Sequence, residues 1–171
     1  HELKLKGLQL LASINNKPLD LREFMPLFEK MFHYSLPIWI HPAGAIGRDD
    51  YRKYFMDMIF GWPYESTVAM SRLVLDGLFE QLPGIKIIVH HCGALVPFFA
   101  ARMSAVHSAS NTIQGMSNKP KLNIPIRDSF KKFYVDTALS GNTAGLMCGY
   151  SFYGADHLLF GSDMPYDNSF G

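Results

Sequence analysis

Residues 85–103 read IKIIVHHCGALVPFFAARM, and the change of character along this stretch decides the fold. It opens on Ile85–His91 (IKIIVHH), an apolar run without the polar alternation of a half-exposed strand. Ala94–His107 then carries apolar residues at helical spacing. A buried strand that ends in polar residues and leads at once into a helix is one βα unit of a parallel sheet.

The same unit recurs on both sides. Lys6–Ala12, Pro37–His41, Phe133–Thr137 and His157–Gly161 are four further apolar runs of strand length. Helical patterns separate them. Leu19–Tyr34 opens near Pro18 and carries Leu21, Phe24, Phe28 and Phe32, while Glu65–Leu82 places Val68, Leu75, Leu78 and Phe79 on one face and stops at Pro83-Gly84. Asn142–Tyr153 is a further helix, and Ser108–Arg127, rich in Ser, Asn, Pro and Lys, reads as a long loop. Alternating strands and helices predict an α/β fold. No glycine-rich phosphate loop follows any strand, which counts against a nucleotide-binding sheet and for a (β/α)8 barrel. A whole barrel needs about 250 residues. The 171 residues here supply five units, so 1–171 is expected to be the C-terminal portion of a single barrel domain whose first strands lie elsewhere.

Composition narrows the partners. Apolar residues make up 48% and charged residues 18%, a globular balance, and a net charge of +1 offers nothing to nucleic acid or to an anionic membrane. The densest basic cluster, Lys131-Lys132, reads as a solvated face, and no apolar run approaches the ~18 residues of a membrane span. Cys92 and Cys148 fit neither a disulfide framework nor a zinc spacing, and unpaired thiols point to the cytoplasm.

The chemistry gathers where the strands end. Asn15-Asn16, His41, His91, Asp136 and Asp163 all follow apolar runs, on the rim where α/β folds build active sites. His41, in Ile38-Trp39-Ile40-His41-Pro42, can offer a neutral imidazole to a metal, although a lone strand-end histidine is more often a satisfied junction residue. In His90-His91, strand alternation lets only one ring face the barrel interior, and phase alone does not choose between them. Gly93 allows close approach of a substrate, and Cys92, with no acid–base partner, reads as a packed thiol. Asp163, before Met164-Pro165, can ligate a cation and accept a proton, or simply form a turn. Asp136 is a weaker candidate that can equally cap the next turn, and Asp156-His157, ahead of its strand, belongs to the opposite rim.

Five segments in order, IHPAG, GWPYEST, LPGIKIIVHHCGALVPFFAARM, FYVDTA and GADHLLFGSDMPYD, resemble the amidohydrolase-related family that includes 2-amino-3-carboxymuconate-6-semialdehyde and γ-resorcylate decarboxylases. The resemblance implies a metal-dependent barrel with His41 and Asp163 as metal ligands, and His91, Asp163 also being catalytic. It selects His91 over His90 because Gly93 and Pro97 then fall in register. It implies that Arg102 reaches a substrate carboxylate across a homodimer interface, though a helix-surface arginine fits equally, and that Phe60 and Trp62 line the substrate pocket. The ion implied is divalent, zinc first and manganese second. Two departures stand out. The His-x-His pair of the family's first strand is absent, and the family's triple glycine after the catalytic histidine is Cys92-Gly93-Ala94 here.

The expected function is therefore a metal-dependent enzyme acting on a small carboxylate-bearing substrate, with decarboxylation favoured over hydrolysis of a lactone, ester or amide. An inactive barrel segment serving as a binding module is the non-enzymatic alternative.

Overall fold

The computed structural model describes residues 4–44, 52–109 and 122–166. In chain order the strands are β1 (Leu8–Leu11), β2 (Ser13–Ile14), β3 (Lys17–Pro18), β4 (Ile38–His41), β5 (Ile87–Val89), β6 (Tyr134–Asp136) and β7 (Leu158–Leu159). The helices are α1 (Met25–His33), α2 (Trp62–Leu75), α3 (Leu78–Gln81), the single turn α4 (His90–Gly93), α5 (Val96–Ala109), α6 (Ile126–Phe130) and α7 (Thr143–Tyr153).

Strands β1, β4, β5, β6 and β7 pair in that order, all parallel, to form one sheet. Their spatial order follows their chain order without the reversal that creates a switch point in doubly wound sheets. The sheet is thus an arc of a (β/α)8 barrel, five strands long.

The two faces of the arc differ in chemistry. Ile38, Ile40, Ile87, Val89 and Val135 are fully buried and join one core with Phe28 of α1, Met70 and Leu73 of α2 and Phe79 of α3. Each such buried aliphatic contributes about 1.5–3 kcal/mol of transfer free energy. The alternate residues Trp39, His41, Ile88, Tyr134 and Asp136 stand outside that cluster, on the inner face of the arc. This alternation carries His41 and Asp136 to the C-terminal mouth.

The predicted elements are present with shifted ends. Pro18 belongs to β3 rather than to a helix start, and a 3-10 turn at Arg22–Phe24 precedes α1. Asn15 (φ 51) and Asn16 (φ 59) form the two-residue loop of the β2–β3 hairpin. Asparagine tolerates the left-handed conformation that such turns require, so this pair is turn chemistry and not a strand-end site. The predicted helix Glu65–Leu82 begins at Trp62 and breaks at Gly77, whose φ of 79 admits a left-handed residue before α3 resumes. Its buried stripe runs through Ser66, Ala69, Met70, Leu73 and Val74, leaving Val68 exposed. Of the predicted loop Ser108–Arg127, residues 110–121 lie outside the described residues, and Ile126 already opens α6. Among the described residues no helix is long and apolar enough to cross a membrane. Cys92 is buried, Cys148 is exposed, and both are free thiols.

Candidate active site

Strand β5 ends at Val89, and the chain then makes the turn α4 with His91 (φ 58), Cys92 (φ 55) and Gly93 (φ 71) left-handed. Strand alternation therefore holds through His90 and fails from His91 onward. Both rings come to the mouth, contrary to the expectation that only one could: the His41 ring centroid lies 5.3 Å from that of His90 and 5.7 Å from that of His91. Trp62, the first residue of α2, completes the wall. Its indole stacks on His91 at 6.5 Å and meets His41 edge-on at 5.7 Å.

Asp163 follows β7 with a φ of 60, and its Oδ2 lies 3.9 Å from Nε2 of His91. Burial pushes the His91 imidazole below its ordinary pKa, against the raising pull of Asp136 and Asp163. The ring is therefore neutral near pH 7 and ready to take a proton. Asp136 is buried and accepts three hydrogen bonds: from His90 Nδ1–H at 2.7 Å, Ala138 N–H at 3.1 Å and Cys92 N–H at 3.3 Å. Burial alone pushes its carboxyl up, but the His90 contact and the two amides outweigh that and hold it below the usual range.

Glu65 of α2 secures the segment after β4. It accepts from the amides of Ala43 (2.6 Å) and Gly44 (2.9 Å) and from the Ser13 hydroxyl (2.9 Å), tying the His41 loop to the hairpin. Neither this anchor nor the His90–Asp136 pair was expected. The strand-end position of Asp136 was the only sequence signal for the pair.

The turn itself is strained. Ala94 sits at φ 56 and ψ −123, the first central position of a type II′ turn, where glycine dominates. Tyr153 packs so closely on Gly93 that any side chain there would collide with its hydroxyl. Ala94→Gly is expected to stabilise the protein by about 1 kcal/mol, the relieved strain exceeding the added freedom of the unfolded chain. A urea midpoint at or below wild type would overturn that reading of the turn. Cys92 is packed beneath, its Sγ against Gly149, and burial pushes its thiol up to about 11. It is a packing residue and a poor nucleophile.

Two predicted residues stand away from this group. Phe60 lies on the π-helical turn Asp57–Gly61 and is 64% exposed. Arg102 is an exposed residue of α5 lining an apolar cavity of about 670 Å³ with Tyr64, Phe99 and Met103; none of His41, His90, His91 or Asp163 lines that cavity.

His41 suits a metal ligand in one respect. Its Nδ1–H donates to the Pro42 carbonyl at 2.8 Å, which leaves Nε2 with a free lone pair. Among the described residues, however, no group of three or more His, Cys, Asp or Glu side chains is arranged to hold a metal ion. A catalytic zinc usually takes three protein ligands.

The Amidohydrolase family model matches residues 1–171. The chain belongs to the amidohydrolase family. It is 28% identical over 165 residues to the 2-amino-3-carboxymuconate-6-semialdehyde decarboxylase of Dictyostelium discoideum, covering 96% of this chain and 45% of that protein. Its fold matches the 5-carboxyvanillate decarboxylase of Sphingomonas paucimobilis with a TM-score of 0.86 at 29% identity, covering 97% of this chain and 50% of that one. A dihydroxybenzoic acid decarboxylase of Polaromonas, solved with manganese and 2-nitroresorcinol, matches with a TM-score of 0.80 at 26% identity, covering 98% and 53%. The chain thus spans about half the length of the relatives it matches, in keeping with an arc of the barrel.

Proposed function

We propose that the protein is a metal-dependent decarboxylase of small carboxylic acids, aromatic or muconate-like. The observation carrying this reading is the convergence of His41, His91, Trp62 and Asp163 at the mouth of a parallel barrel arc. The relatives named above are all decarboxylases. Residues 1–171 are read as the C-terminal portion of one barrel domain, with the remaining metal donors supplied by strands outside them.

In this reading His41 and Asp163 would hold a divalent ion together with donors outside these residues, and its positive charge would help to orient the acid and stabilise the electrons left behind. Zinc suits an imidazole–carboxylate set; manganese, present in the Polaromonas relative, is the alternative. His91 and Asp163 hold the proton. As the carboxylate departs as carbon dioxide, its bonding pair stays on the carbon it leaves, and a proton that neutral His91 takes up from solvent and Asp163 helps to hold forms the new C–H bond. Trp62, stacked on His91, forms one wall of the site. Arg102 takes part only if a second copy of the chain presents it, and a homodimer in the cytoplasm is the assembly that goes with this role.

The test is carbon dioxide release by the full-length protein, loaded with zinc or manganese, from hydroxybenzoic and muconate-type acids. Release matched by one decarboxylated product supports the proposal. Hydrolysis of a lactone or ester with the acids unchanged would replace it with the hydrolase reading, and the absence of stoichiometric metal would favour the binding module.

A further inference from the structure

Strand register places His90 on the inner face of the barrel, because it lies two residues beyond Ile88, which pairs with Trp39 and Tyr134. The ring therefore reaches the mouth by strand phase, whereas His91 reaches it through the left-handed turn. A carboxylate can only accept, so the 2.7 Å contact with Asp136 Oδ2 requires the proton on His90 Nδ1. Nε2 is then a lone-pair acceptor. It is buried and has no hydrogen-bond partner among the described residues. A buried acceptor left unmatched costs about 1–3 kcal/mol, which is tolerable at a site where a ligand or water donor arrives to fill it.

Asp136 does more than hold one ring. Its second oxygen takes the Cys92 amide inside the turn and the Ala138 amide just past β6. One carboxylate thus fixes the orientation of His90 and the position of the turn that carries His91. We propose, building on the active-site reading above, that Asp136 and His90 form a positioning dyad: Asp136 locks His90 in its Nδ1–H tautomer and pins the α4 turn to β6, presenting the His90 Nε2 acceptor beside His41. The competing role for such a pair is structural, a buried carboxylate satisfied for stability alone.

Ring-nitrogen NMR shifts of the full-length protein labelled with 15N-histidine separate the two. His90 is expected to be unprotonated at Nε2 in the wild type and to lose that single tautomer in Asp136→Asn. Asp136→Asn should also lower kcat by about 10- to 100-fold with KM near wild type. His90→Asn keeps an amide N–H to offer Asp136 but lacks Nε2; it should melt like wild type and lose kcat to a similar degree. A wild-type His90 protonated at Nε2, or a tautomer change in Asp136→Asn with kcat intact, overturns the dyad. If Asp136→Asn does not fold, the wild-type shifts and His90→Asn carry the test. The nitrogen shifts decide the lock in a protein of any activity, so a failed dyad and a failed decarboxylase assignment give different results.

Discussion

Asp163→Asn is expected to lower kcat by about 100- to 10,000-fold, the range set by loss of a positioned acid–base group. Asparagine keeps the size of the side chain but can neither carry the charge that complements a cation nor hold a proton for transfer. Asp163 lies 3.9 Å from His91 Nε2, just beyond hydrogen-bond length, so the two can share a proton through a small closing movement or one water. His91→Asn should therefore lose activity on the same scale. Groups that act as a unit are not additive, and the double variant should be no worse than the poorer single one by more than a few-fold. Metal content measured in parallel separates lost binding from lost proton transfer. Full activity in metal-loaded Asp163→Asn would remove this residue from the chemistry and leave it as the turn-forming aspartate that its place before Met164-Pro165 also allows.

The same residues show how far sequence reasoning reaches. The five strands and their order were legible because each is a short apolar run without polar alternation, bounded by turn or polar residues and separated from the next by a helical pattern. His41 and Asp163 were legible for the same reason, each being a polar residue following such a run. The behaviour of His90-His91 was not. A left-handed conformation in non-glycine residues has no periodic signature, so alternation was carried two residues past the true end of β5 at Val89. Positive φ at Cys92, Gly93 and Ala94 is a conformation that glycines adopt freely, and with only one glycine among the three the sequence carries little sign of it. Glu65 was invisible because its partners are the amides of Ala43 and Gly44, which no side-chain pattern announces. Arg102 is a different case. The motif identified the residue, but its position on α5, lining a cavity apart from the histidines, follows from helix packing that a motif does not encode.

Phe133→Ala should cost about 3–5 kcal/mol, the penalty for removing a large buried aromatic without collapse of the space it leaves. Phe133 is fully buried immediately before β6, and its ring meets Phe79 of α3 edge-to-face at 4.9 Å and 86°. That pairing locks the N-terminal end of β6 to the outer helical layer, and β6 carries Asp136 to the mouth three residues later. Against a typical domain stability of about 5–15 kcal/mol, the loss is large enough to leave a visible unfolded fraction at 37 °C. Phe133→Leu, which keeps most of the volume, should lose roughly 1.5 kcal/mol or less. Urea midpoints of the three proteins check the series, and a cost under about 1 kcal/mol for the alanine variant would mean that this end of the barrel can collapse around the gap. The two substitutions argued here should therefore dissociate. Asp163→Asn acts on an exposed carboxylate at the mouth and should change rate with little change in midpoint. Phe133→Ala acts at the far end of a strand and should change the midpoint while the folded fraction keeps its kcat. Loss of kcat in folded Phe133→Ala would show instead that the position of Asp136, and with it the α4 turn, depends on packing at the opposite end of β6.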